Sequence, residues 1–175
     1  MEYELKRSQR AKALRIAVHP DTSVVVTAPS SFSTRAIERF VAERWGWAER
    51  HIERAKRRFV IRIRRGDVPA LKKRALELCY GRARHFAKQY DVSFRRITIR
   101  AQKSRWGSCS RRGNLSFNYR IAVLPARIAD YIIVHELCHL REMNHSKRFW
   151  VLVAQACLHH AAVRKELRLL AFMYD

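Results

Sequence analysis

The run His135-Glu136-Leu137-Cys138-His139, followed by Asn144-His145-Ser146, sets three imidazoles and a carboxylate at spacings that suit a hydrolytic metal site. Each helical residue turns about 100°, so His135 and His139 stand one turn apart on one face. Two imidazoles so placed reach a single zinc ion, and Glu136 beside them is placed to hold a water. His145, after a short turn, would be the third ligand and leave one tetrahedral position open, as catalytic rather than structural zinc sites do. Zinc would bring the pKa of a bound water toward about 7. Glu136 would take its proton and then deliver it to the leaving amine. One ion per chain is expected.

The segment from Ile128 to Leu140 is apolar nearly all the way round, so it belongs in a core. Buried there without partners, two histidines and a glutamate would each cost roughly 1–3 kcal/mol. The bland alternative is a pair of backbone-bonded core histidines with Glu136 in an ion pair. A metal accounts for all three groups at once.

Pro125 starts this buried helix, and a further helix begins near Ser146, its cap, with Phe149, Trp150, Val153 and Cys157 inward. Asn144 is expected to supply a left-handed backbone in the turn between them. Ahead of the helix, Ile97 to Arg100 alternates as a strand, and a loop from Ser104 to Gly113 leads to a second strand from Leu115 to Ile121. That second strand is read as a sheet edge over Leu115 to Arg120, open to an extended peptide by strand addition, with Asn118 or Ser116 beside the metal. The other reading of Asn118 is a tie between strand and loop. Gly107 is expected to supply an unusual turn conformation. Trp106 is either core or substrate platform, and Arg105, Tyr119 and Tyr131 are candidates for stabilising an oxyanion. Cys138 lies off the metal-facing side by helical geometry. Cys109 reads as a small buried residue, with a self-inhibitory zinc thiolate as the alternative. His19, His51, His85, His159 and His160 lack partners at ligand spacing.

The N-terminal part alternates like strands at Tyr3 to Arg7, Leu14 to Val18 and Val24 to Thr27, the last closed by Pro29. A helix capped by Ser33 or Thr34 follows, with Ile37, Phe40, Val41, Trp45, Ala48 and Ile52 at helical spacing. Pro69 opens another to about Tyr90. The basic stretch around Arg64-Arg65-Gly66 reads as their connection.

The chain has 175 residues, a size that fits one domain, and carries 37 Lys+Arg against 15 Asp+Glu, a formal charge of +22. Such a surface draws polyanions, so nucleic acid or nucleotide joins peptide or protein substrate as a candidate partner. The other reading is a general abundance of arginine on solvated faces. No apolar stretch approaches the ~20 residues of a membrane span, and Met1-Glu2-Tyr3-Glu4 is no apolar signal region. The four cysteines show no paired spacing, which suits free thiols in a cytoplasmic setting.

Arg105-Trp106-Gly107-Ser108-Cys109, Asn118, Pro125, His135-Glu136-Leu137-Cys138-His139 and Asn144-His145-Ser146 with Phe149-Trp150 closely resemble the YgjP-like metallopeptidase domain, related to the SprT and WLM zinc peptidases. Tyr3 to Ser8, Ala28-Pro29 and the helix around Trp47 extend the likeness over essentially the whole chain. The resemblance implies a single domain over 1–175, with N-terminal strands and helix over 1–66 and a catalytic core over 67–175. It implies an α+β, zincin-like fold, a small mixed or antiparallel sheet packed on the active-site helix with a sheet edge above it. It also implies zinc on His135, His139 and His145, with Glu136 as catalytic acid and base. The histidine spacing equals that of metzincins, but Glu142 stands where those carry glycine.

Four functions compete. A zinc metallopeptidase uses the site as described, with Asn118, Ser116, Arg105, Trp106 and Tyr119 as substrate-binding candidates. A metal-dependent nucleotide or phosphoester hydrolase, of the nucleoside triphosphate pyrophosphatase type, would use Arg95, Arg96, Arg100, Lys103, Arg105, Arg111 and Arg112 for phosphates. A DNA-associated SprT-like protease would hold nucleic acid on the basic face. A nucleic-acid-binding module with a degenerate site fits least, because Glu136 and all three histidines are intact.

Overall fold

Two starts offered by the sequence are used by the two longest helices. The Ser33 hydroxyl accepts from the Ala36 amide at 3.2 Å, and Pro69 sits in the first turn of the second helix, where a missing N–H costs nothing. The computed structural model describes residues 1–102 and 104–175, so Lys103 lies outside the described residues. In chain order come β1 (Glu4–Ser8), β2 (Arg15–Val18), β3 (Val24–Pro29), α1 (Thr34–Lys56), β4 (Phe59–Ile63) and α2 (Val68–Gln89). Then follow β5 (Arg96–Arg100), β6 (Gly107–Cys109), β7 (Asn114–Asn118), α3 (Ala126–Cys138), α4 (Lys147–Ala156), α5 (His160–Leu169) and β8 (Leu170–Tyr174). The fold is mixed α+β.

The chain divides into two compact units, Met1–Arg62 with Leu169–Asp175, and Ile63–Arg168. In the first, the sheet order is β1-β3-β2, with β1 parallel and β2 antiparallel to β3. Val26 and Ala28 of the central strand bury against Ile37 and Val41 of α1, the face that helical spacing assigned. β4 and β8 form a separate two-stranded sheet. Neither strand was foreseen: the alternation in Phe59-Val60-Ile61-Arg62-Ile63 is hidden between flanking arginines, and the connection shrinks to a 3-10 turn at Arg65–Asp67.

In the second unit the sheet order is β5-β7-β6, with Ile97 opposite Leu115 in the parallel pair and Gly107 opposite Phe117 in the antiparallel one. This corrects two expectations. β7 is the central strand, bonded on both sides, so its backbone is closed to an added strand, and the outer edge nearest α3 belongs to β6. The strand also stops at Asn118 rather than Ile121. There the Asn118 side-chain oxygen accepts the Arg120 amide at 3.1 Å and starts a 3-10 turn over Tyr119–Val123.

Leu115, Phe117, Ile121, Ile128, Ile133, Leu137, Phe149 and Val153 are almost wholly buried in this unit. Each aliphatic or aromatic side chain so buried contributes about 1.5–3 kcal/mol, which makes this packing the term that fixes α3. Arg82 of α2 grips Asp130 of α3 through two bonds of 2.6 and 2.7 Å. The Tyr90 hydroxyl donates to the Leu152 carbonyl at 2.8 Å, and Arg127 donates to Glu166 of α5 at 2.7 Å. The partly exposed ion pairs add under about 1 kcal/mol each, so they set orientation more than stability. Among the described residues no helix is long and apolar enough to cross a membrane.

Candidate metal centre

α3 carries His135 and Glu136 in its last turn, and His139 is its C-cap. The chain then tightens: Leu140 N bonds Leu137 O at 2.9 Å and Glu142 N bonds Cys138 O at 2.9 Å. Ser146 caps α4 by accepting the Phe149 amide at 3.2 Å, which brings His145 back over α3. The turn needs no left-handed residue. Among the described non-glycine residues only Thr22 and Asp91 have positive φ, so Asn144 does not play the part expected of it.

The three rings converge. His135 lies 5.0 Å from His139 and from His145 between ring centroids, and His139 lies 4.8 Å from His145. One ligand nitrogen from each falls within 4.8 Å of the others, and the Nε2 atoms of His135 and His145 are 3.0 Å apart. Nitrogens on a tetrahedral zinc with bonds of about 2.0–2.1 Å would stand roughly 3.3 Å apart, so the cluster is close to the required size. The opposite nitrogens have partners: His139 Nδ1 meets the Glu142 carbonyl at 3.0 Å, and His135 Nδ1 faces the Tyr131 hydroxyl at 3.4 Å. The Glu142 carbonyl can only accept, so His139 carries its proton on Nδ1 and keeps its Nε2 lone pair for a cation, and the Tyr131 hydroxyl permits the same tautomer at His135. Desolvation, then the neighbouring imidazoles and Arg164, push the His135 pKa down to about 3, and desolvation, His139 and Arg164 lower that of His145. Neutral imidazoles are the form a metal takes, so the donor set fits a divalent ion such as zinc.

Phe149, fully buried, underlies all three rings, with centroid distances of 4.9 Å to His135, 4.6 Å to His139 and 4.8 Å to His145. Trp150 stacks on His145 at 5.6 Å, His160 stacks on Trp150 at 5.2 Å, and the Arg164 guanidinium lies 4.4 Å over the same indole. His160 thus belongs to the support of the site although its spacing gave no sign of it. The hydrophobic run after Ser146 pointed to Phe149 as core but not to its place beneath the imidazoles.

Glu136 is buried at 6% exposure, and desolvation raises its carboxyl pKa to about 8. Its neighbour is Gly107 of β6. A Cβ on Gly107 would fall 2.6 Å from both Glu136 Cγ and Oε1. Gly107 does not have positive φ, so the expectation of a special turn is replaced by a steric requirement: the strand passes too close to the carboxylate for any side chain.

A cavity of about 250 Å³ opens beside Glu136, lined by Arg105, Trp106, Gly107, Tyr131, Ile132, His135, Glu136 and Leu167. Arg105 and Trp106 therefore sit at the site. Asn118 is 2% exposed, and its amide donates to the Gln102 carbonyl at 2.6 Å and the Arg105 carbonyl at 3.2 Å, which makes it the tie between strand and loop. The Ser116 hydroxyl pairs with that of Thr98 at 2.9 Å, and Tyr119 is buried in the 3-10 turn. None of these three lines the cavity. Cys109 is half-buried, and burial, with Glu136 nearby, raises its thiol to about 11. Cys138 is buried in packing, off the metal side.

A family model described as the YgjP-like metallopeptidase domain matches residues 12–69 and 68–169. The chain belongs to this family. It is accordingly a hydrolase of the metallopeptidase kind, and the histidine cluster lies within the second matched stretch. Among solved structures, this YgjP-like chain is similar to the metallopeptidase zymogen of Pyrococcus abyssi abylysin, at 20% identity and a TM-score of 0.47 over 51% of this chain and 90% of that one. No curated protein matches.

Proposed function

We propose that the chain is a zinc-dependent peptidase of zincin-like architecture, with His135, His139 and His145 holding one ion and Glu136 moving the proton. The convergence of three ring nitrogens beside a buried carboxylate carries this reading. A bound zinc ion supplies Lewis acidity, which polarises a carbonyl and acidifies water. Glu136 accepts the proton of the attacking water at its carboxylate and returns it to the amine leaving group. The Tyr131 hydroxyl and the Glu142 carbonyl orient the rings of His135 and His139.

The substrate is an extended peptide laid along the outer edge of β6, with one side chain entering the cavity between Trp106, Ile132 and Leu167. The nucleotide reading is weaker. Of the arginines that motivated it, Arg105 lines this cavity, whereas Arg95 lines a different one. A cytoplasmic setting is part of the proposal, in keeping with four free cysteines.

The test is metal content by plasma mass spectrometry on tag-free wild type and His145→Ala. Near one zinc per chain, largely lost in the variant, supports the assignment. No stoichiometric zinc in wild type, or full retention in the variant, overturns it. Turnover of unfolded casein against release of pyrophosphate from nucleotides then separates the two hydrolase readings.

The stacked column behind His145 makes a second prediction. Trp150→Leu removes the surface against which that ring rests, and zinc affinity is expected to fall about 10–100-fold. Competition with a chromophoric chelator measures it, with circular dichroism confirming the fold and Trp150→Phe expected to recover part of the loss. Unchanged affinity would mean that Trp150 only fills space.

A further inference from the structure

A second, larger cavity of about 700 Å³ lies between the C-terminal half of α2 and the segment from Asp91 to Arg95. Tyr80, Arg84 and Lys88 recur every fourth residue along α2, so they share one helix face. The opposite wall is built where the chain doubles back. Asp91 adopts φ 48°, and the Val92 amide bonds the Ala87 carbonyl at 3.0 Å. That turn brings Phe94 to 6.2 Å from Tyr80 between ring centroids, tilted by 59°.

Two features of this cleft lack an internal purpose. Among the described residues, Arg84, Lys88 and Arg95 have no carboxylate within 4.0 Å, and the only acid lining the cleft with them is Asp91. Tyr80, beside them, is 39% exposed. The Arg95 amide also bonds the Gly113 carbonyl at 2.8 Å, so the exposed Arg111 and Arg112 of that turn extend the positive surface. Uncompensated cations repel one another, an arrangement that a bound polyanion relieves. An exposed tyrosine ring backed by the half-buried Phe94 among such cations provides what single-stranded nucleic acid needs, phosphate contacts and a face for an unstacked base. An acidic peptide would use the cations and leave the rings idle.

We propose that this cleft binds single-stranded nucleic acid, with Arg84, Lys88 and Arg95 on phosphates and Tyr80, backed by Phe94, stacking a base. The inference is independent of the hydrolytic reading and requires no metal.

The test uses the full chain and a fluorescein-labelled thymidine oligonucleotide of roughly 15 bases, long enough to cover one such site. Inorganic polyphosphate and polyglutamate serve as anions without bases. Tyr80→Ala is expected to weaken oligonucleotide binding about 5–100-fold while leaving polyphosphate binding unchanged, and Tyr80→Phe to keep it. The triple variant Arg84→Gln, Lys88→Gln and Arg95→Gln should lower the slope of log affinity against log salt by about 2. Removing Arg54, Arg57 and Arg58 at the end of α1 should leave the oligonucleotide affinity near wild type. Three results would overturn the proposal: equal loss for polyphosphate and oligonucleotide in Tyr80→Ala, tighter binding of polyglutamate than of the oligonucleotide, or a stronger effect from the α1 variant than from the cleft variant.

Discussion

Glu136→Gln is expected to lower peptide turnover by about 10²–10⁴-fold, the range that a positioned acid–base group supplies, while zinc content stays at the wild-type level. Glutamine keeps the volume and the polar tip but has no carboxylate to take a proton. The three imidazoles meet one another without it, so the ligand set is untouched. Its aliphatic stem still lies against Gly107, so the packing between β6 and α3 is preserved. Parallel measurement of casein cleavage and zinc stoichiometry decides the matter. Loss of zinc along with activity would make Glu136 a ligand or a structural group, and retained activity would remove it from the chemistry.

Gly107→Ala is expected to be nearly as damaging by a different route. The new methyl would sit 2.6 Å from Glu136 Cγ and Oε1 and 2.8 Å from Cδ, distances that atoms do not tolerate. The strand cannot retreat easily, because Gly107 is paired opposite Phe117, which is fully buried. The helix cannot retreat either, since Ile133 and Leu137 on it are fully buried. The carboxylate has to swing away, and a misplacement of about 1 Å is worth on the order of 10² in rate. Overpacking should also cost about 1–3 kcal/mol of stability. Adding Glu136→Gln to Gly107→Ala should slow turnover little further, because both act on one carboxylate. Denaturant melts and turnover of the two single variants and the double variant form the check. Wild-type turnover in Gly107→Ala would refute the steric role.

The features that the sequence disclosed share a physical trait: each is written in local periodicity or in a capping residue. The buried helix, its histidines one turn apart and the Ser146 cap follow from a 3.6-residue repeat and a side-chain hydroxyl. What stayed hidden depends on pairing across the chain. That β7 is central and β6 an edge cannot be read from Leu115 to Asn118, because a buried alternating strand looks alike in either place. β6, only three residues long and beginning with glycine, carries no strand signal at all. The contact of Gly107 with Glu136 and the column of His145, Trp150 and His160 join residues from separate elements, so no spacing rule reaches them. Gly107 stands out in the sequence as a glycine, but what requires it is the close approach to Glu136 rather than conformational freedom.

The phenylalanine beneath the three imidazoles bears on when the protein becomes able to capture an ion. In a zinc finger the ion organises the chain, and chelation and folding are one event. Here a fully buried Phe149 touches His135, His139 and His145 together, so ordinary hydrophobic assembly of α3 and α4 already composes the chelating claw. If that packing forms on its own, the conformational cost of bringing the donors together is met by folding rather than by the ion. On the proposed reading, metal would then act on the protein as a ligand acts on a finished receptor, adding stability by mass action.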